Sequence, residues 1–119
     1  MSIVETLKSV VKVLQDKKAG DIEIIKIADV STIADYLVIC SGTSTTQVKA
    51  LASAVEEKVD REGKMTYHKE GYSTASWVLL DYGDLIVNIF YTEARDFYQL
   101  ENLWADGETI EIEDLDKLE

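Results

Sequence analysis

Proline is absent from this 119-residue sequence, cysteine and histidine occur once each, and 12 basic residues stand against 23 acidic ones, for a net charge of −11. Each shortage excludes something. Cys40, being alone, cannot close an intramolecular disulfide or assemble a thiol-rich metal site, and it fits a reducing, cytoplasmic setting. Nowhere do about 18 apolar residues run uninterrupted, and the opening MSIVETLKSVVKVLQ lacks a basic start followed by a long apolar run. Neither a membrane span nor a signal peptide is expected. The deficit of Lys and Arg disfavours a protein whose affinity rests on neutralising phosphates, so little direct nucleic-acid binding is expected. An acidic chain suits a basic partner instead, including a basic protein itself bound to RNA, because complementary fields steer docking.

What is present is a core. A 46% hydrophobic content in a chain of this length predicts one folded domain, residues 1–107, followed by an acidic C-terminal tail, residues 108–119. Ile3, Leu7, Val10, Val11 and Leu14 recur at helical spacing and predict an amphipathic first helix closed near Ala19-Gly20. Ile22 to Ile27 and Tyr36 to Cys40 read as strands. STTQ, Ser44 to Gln47, has the spacing of a capping box, with Val48, Leu51, Ala52, Val55 and Val59 as the apolar face of the helix that follows and Gly63 as its end. A short strand is expected near Met65 to His68, then a hairpin from Ser76 to Phe90. Thr92 is placed to cap a last helix with Ala94, Phe97, Leu100 and Trp104 as its stripe. The tail reads as mobile, although Ile110-Glu111-Ile112 could add an edge strand. The fold class is α/β, with a single mixed sheet flanked by helices.

Few residues suggest chemistry. SGTSTT, Ser41 to Thr46, lies where a helix start could hold an anion, but it matches neither a P-loop nor a dinucleotide fingerprint. Helix capping explains it. Asp81 and Asp84 could suggest a metal pair, yet a tight turn between them points them apart and no third acid is fixed nearby. His68 has no serine on a nucleophile elbow to serve, and Cys40 at a strand end reads as a small buried hydrophobe. No catalytic residue, metal ligand or cofactor is expected.

The hairpin SWVLLDYGDLIVNIF is more informative. A two-residue turn at Gly83-Asp84, with glycine first as a type II′ turn prefers, would pair Tyr82 with Leu85 and fix the register. One face then holds Val78, Leu80, Leu85, Val87 and Ile89, an ordinary core surface. The other holds Trp77, Leu79, Asp81, Ile86, Asn88 and Phe90, mixing aromatic anchors with a few polar groups as interface hot spots do. A helix of the same chain could instead cover it, and a three-residue turn would separate Asp81 from Asn88. In the last helix Tyr98 and Glu101, three apart, form either the rim of that patch or a solvated face.

Four blocks, STIADYLVI from Ser31, SGTSTTQVKALA from Ser41, EGYSTASWVLLDYGDLIVNIF from Glu70 and ARDFYQLENLW from Ala94, together resemble the ribosomal silencing factor family, also called Iojap-related. The resemblance implies a non-catalytic factor that binds the large ribosomal subunit through its protein L-fourteen, blocks subunit joining and represses translation when nutrients are scarce. It implies a fold similar to nucleotidyltransferases, whose catalytic acidic pattern is not apparent after Ser41-Gly42. It carries the partner contact onto Trp77, Leu79, Asp81, Asn88, Tyr98 and Glu101. One departure is visible. The family's hairpin commonly has histidine where this chain has Asn88, and asparagine cannot become cationic near neutral pH. The competing readings are a nucleotidyltransferase-like enzyme and a self-associating module whose homodimer would compete for the same face.

Overall fold

The computed structural model describes residues 2–64, 66–98 and 106–118. Its elements run α1 (Ile3–Asp16), β1 (Gly20–Lys26), β2 (Tyr36–Gly42), α2 (Thr45–Arg61), β3 (His68–Glu70), β4 (Trp77–Asp81), β5 (Leu85–Tyr91), α3 (Thr92–Tyr98), β6 (Glu108–Ile110) and a 3-10 turn over Ile112–Lys117. The strands form one six-stranded sheet in the order β3-β4-β5-β2-β1-β6. β2 and β5 are parallel and the other pairings antiparallel, so the sheet is mixed, as the sequence predicts.

Both long helices form for local reasons. The Ser2 hydroxyl accepts from the Glu5 N–H at 3.2 Å, and Val4, Leu7, Val10, Val11 and Leu14 give α1 a continuous buried stripe. Ser44 caps α2 by accepting from Gln47 N–H at 3.0 Å. The reciprocal half of the expected capping box is displaced by one residue: Gln47 Oε1 accepts from Thr43 N–H at 2.6 Å, not from Ser44. The turn after Gly42 brings the Thr43 donor into reach of the amide, so the glutamine ties down the residue before the cap.

The two helices pack side by side on one face of the sheet. There Val48, Leu51, Val55 and Val59 meet Val38, Cys40, Val78, Leu80, Val87 and Ile89 in the main core. The opposite face carries a smaller cluster of Ile25, Ile27, Leu37, Ile39 and Phe90, with Ala34, Trp77, Ile86 and Ala94 packed around it. β2 is buried on both faces along its whole length, which explains why its sequence is continuously apolar rather than alternating.

Two expectations are revised in placement. The short strand before the hairpin lies at His68–Glu70, a few residues later than expected. The acidic segment after residue 107 contributes the edge strand weighed from Ile110-Glu111-Ile112: β6 pairs antiparallel with β1, and Ile110 and Leu115 are buried in the main core. Its few apolar residues suffice because each is placed on the sheet edge or against α1, where the Lys8 ammonium also donates to the Leu118 carbonyl at 3.3 Å.

Candidate partner-binding surface

The hairpin register follows from one glycine. Gly83 has φ +86°, and the Tyr82 N–H donates to the Leu85 carbonyl at 2.8 Å, closing a two-residue turn. Trp77 then stands opposite Phe90, Leu79 opposite Asn88 and Asp81 opposite Ile86. All six side chains therefore share the face away from α1 and α2, as expected from the sequence. The turn is tied down further: the Asp84 carbonyl accepts from both Asp35 and Tyr36 N–H groups at the start of β2.

The six are not equivalent. Phe90 and Asn88 are buried, whereas Trp77, Leu79, Asp81 and Ile86 are half-exposed. The Trp77 and Phe90 rings stack with centroids 4.9 Å apart and planes at 28°. The indole N–H of Trp77 donates to Asn88 Oδ1 at 2.8 Å, which fixes the orientation of the amide. Asn88, at 1% exposure, thus lies behind the indole as its support. Its Nδ2 group has no acceptor among the described residues. The carboxylate of Asp81 has a local task as well, since Oδ1 accepts from Gly83 N–H at 2.8 Å, and its half-exposure leaves it within reach of a partner. Tyr98 closes the described part of α3. Glu101 lies outside the described residues, as do Leu100 and Trp104 of the expected stripe.

The other candidate chemistry resolves into structure. Ligands in α/β sheets commonly bind beyond the carboxyl ends of parallel strands. Here α3 occupies that end of β2. The hydroxyl of Thr92, the residue expected to cap the last helix, donates to the Gly42 carbonyl at 3.0 Å, and Arg95 reaches the Ser41 hydroxyl at 2.8 Å. A side chain at Gly42 would approach Val48 Cγ2 to 3.0 Å, so the helix start is packed directly onto the strand end. His68 sits on the exposed edge strand 2.9 Å from Glu70. Cys40 is buried, and desolvation pushes its thiol up to about 12, with a smaller opposing pull from Arg95. Among the described residues no three His, Cys, Asp or Glu side chains converge as a metal site would require. No described helix is long and apolar enough to cross a membrane.

With this geometry in hand, comparison with known proteins is decisive: residues 1–119 match the family described as "ribosomal silencing factor during starvation". The chain belongs to the ribosomal silencing factor family. A ribosomal silencing factor from Halalkalibacterium halodurans is 39% identical over 113 residues, covering 95% of this chain and 97% of that protein. A crystal structure from Chromobacterium violaceum superposes with a TM-score of 0.86 at 33% identity, covering 88% of each chain. A mouse protein named for mitochondrial assembly of the ribosomal large subunit is 32% identical over 80% of this chain and 43% of its own length. Ribosomal silencing factors are regulators of translation rather than enzymes, which agrees with strand ends filled by the chain's own side chains.

Arg95 is the residue that sequence reasoning missed. It is buried, and it joins α3 to β1 and β2. A single arginine on an amphipathic helix reads as solvated, and nothing local in the sequence marks it otherwise.

Proposed function

We propose that this ribosomal silencing factor acts in the cytoplasm by docking on protein L-fourteen of the large ribosomal subunit, where it sterically blocks subunit joining and represses translation under nutrient limitation. The observation that carries the reading is the row of Trp77, Leu79, Asp81 and Ile86, half-exposed along one sheet face and stiffened from behind by Asn88 and Phe90. A rigid aromatic anchor beside an accessible carboxylate is the composition of an interface hot spot. The net charge of −11 supports a basic partner and disfavours RNA itself, so the acidic remainder of the surface helps to orient the factor on a protein patch surrounded by phosphate. The mouse relative's name supports the choice of the large subunit.

In this reading Trp77 is the anchor, Leu79 widens the apolar contact, and Asp81 pairs with a cationic side chain. Asn88 holds the indole, while Tyr98 and Glu101 extend the contact from the last helix. Binding of purified L-fourteen, followed by calorimetry, tests the assignment. Trp77→Ala should weaken binding by at least about 2 kcal/mol, roughly thirtyfold. Asp81→Asn, which keeps an acceptor for Gly83 N–H but removes the charge, should slow association and flatten its salt dependence. Parent-like affinity in Trp77→Ala would refute the anchor. Sedimentation of the protein with and without L-fourteen reports whether self-association uses the same face, since competition predicts that the partner dissolves the dimer.

A further inference from the structure

Asp21 in β1 adopts φ +44°, a left-handed conformation that is uphill for any residue with a Cβ. It lies in an irregularity of the ladder. Gly20 pairs with Ser41 and Glu23 with Ile39, so β1 has one residue more than β2 over the same stretch. Such a β-bulge leaves the extra residue unpaired in the ladder. Here the Asp21 carbonyl receives the Arg95 guanidinium, with Nη1 at 2.7 Å.

The same nitrogen donates to Ser41 Oγ at 2.8 Å, and Nη2 lies 3.7 Å from the Glu23 carboxylate. Arg95 is only 7% exposed. A cation is not buried in this way unless acceptors are arranged for it, and three of them, from two strands, are arranged. One turn earlier on the same helix, Thr92 bonds the Gly42 carbonyl. Among the described residues, Thr92 and Arg95 thus fasten α3 across the ends of β1 and β2, and the described part of the helix runs on to Tyr98.

We propose that Arg95 is a positioning residue for the partner surface: through the bulge at Asp21 and the Ser41 hydroxyl it sets where α3 stands beside the β4–β5 face. The inference rests on the docking reading above. The guanidinium divides the work, Nη1 serving the carbonyl and the hydroxyl while Nη2 faces the carboxylate. Lysine would keep the charge without serving them together.

The test is a double-mutant cycle on L-fourteen affinity, measured where circular dichroism shows every variant folded. Arg95→Lys should weaken binding by about tenfold, a coupling of ordinary size for residues acting as one unit. Most of that loss should vanish in a Tyr98→Ala background, where α3 has less to contribute, and persist in full in a Leu79→Ala background. A residue that merely stabilised the fold would give the same loss in both. Ser41→Ala removes one acceptor without touching the charge, should act in the same direction more weakly, and decides the matter if Arg95→Lys does not fold. A parent that binds L-fourteen while Arg95→Lys and Ser41→Ala bind equally well overturns the inference alone, as does strict additivity with Tyr98→Ala. A parent that does not bind L-fourteen overturns the docking reading, and this inference with it.

Discussion

The indole of Trp77 and the amide of Asn88 meet across β4 and β5 at 2.8 Å, one strand's half-exposed anchor bonded to the next strand's buried side chain. The two residues are not directly opposite in the ladder. Asn88 faces Leu79, and Trp77 faces Phe90, so the bond is a diagonal one of the kind that long side chains reach on a single sheet face. It couples a half-exposed part of the candidate surface to its buried foundation.

Removing both members should cost less than the sum of removing each alone. Trp77→Phe leaves the buried Asn88 oxygen without its donor and should lower stability by about 1–3 kcal/mol. Asn88→Leu takes the acceptor from the indole of half-exposed Trp77 and should cost less. In the double variant the two losses should fall short of their sum, as expected for groups in contact. Urea denaturation of the four proteins checks this, and simple additivity would show that the bond contributes nothing.

Gly71 and Gly63 form a matched pair for a second experiment. Both have positive φ, +82° and +89°, but a Cβ on Gly71 would lie 1.9 Å from the Trp77 carbonyl, whereas one on Gly63 would meet nothing within 4 Å. Gly63→Ala should cost only the conformational penalty, about 1–2 kcal/mol. Gly71→Ala should cost clearly more, and it should weaken partner binding because the strand carrying Trp77 must shift. Equal thermal midpoints for the two variants would contradict this.

Cys40 predicts an alkaline limb. Burial raises its thiol from 9.0 to about 12, so above about pH 9 the unfolded chain gives up a proton that the folded chain retains. Its contribution to stability is intact below that pH and is lost progressively as pH rises toward 12. Burial displaces the Tyr82 hydroxyl in the same direction. Denaturant midpoints should therefore fall through this range, and Cys40→Ala should fall less steeply than the parent. Parallel curves would exclude the cysteine as a cause. At neutral pH, thiol reagents should modify Cys40 no faster than the protein unfolds.

The acidic C-terminal segment should matter for stability despite its composition. Leu115 packs into the main core beside α1, and Leu115→Ala should lower stability by about 2 kcal/mol, near the small end for a buried leucine because the site is close to the surface. Deleting residues 108–119 should cost at least as much, by removing β6 from the edge of β1. An unchanged denaturation midpoint in the truncated protein would show that the segment is dispensable.

The helices and the hairpin were legible because their signals are local and repeated. The α2 stripe from Val48 to Val59 recurs at helical spacing, and every member is buried. The β4–β5 register needed only the alternation of two strands and a glycine at a turn position that demands positive φ. The sharing of one face by Trp77, Leu79, Asp81 and Asn88 followed at once. What the sequence left unmarked was contact between distant segments. The partition of that face into an exposed row and a buried support depends on what packs against it, so Asn88 read as a contact residue although it lies behind Trp77. The burial of Arg95 depends on a one-residue bulge 74 positions away, and the bond from the Thr92 hydroxyl to the Gly42 carbonyl spans 50 positions. β6 was ambiguous for a related reason: three residues form a strand only because an open edge of β1 is there to receive them.

The central claim is that the Trp77 face closes off the large subunit. It is tested most directly by a subunit-joining assay read on sucrose gradients, comparing the parent with Trp77→Ala. The parent should sediment with large subunits and suppress formation of joined ribosomes, and Trp77→Ala, folded to the same extent, should do neither at equal concentration. A parent that leaves subunit joining unaffected, or a Trp77→Ala variant that blocks it equally well, would contradict that claim.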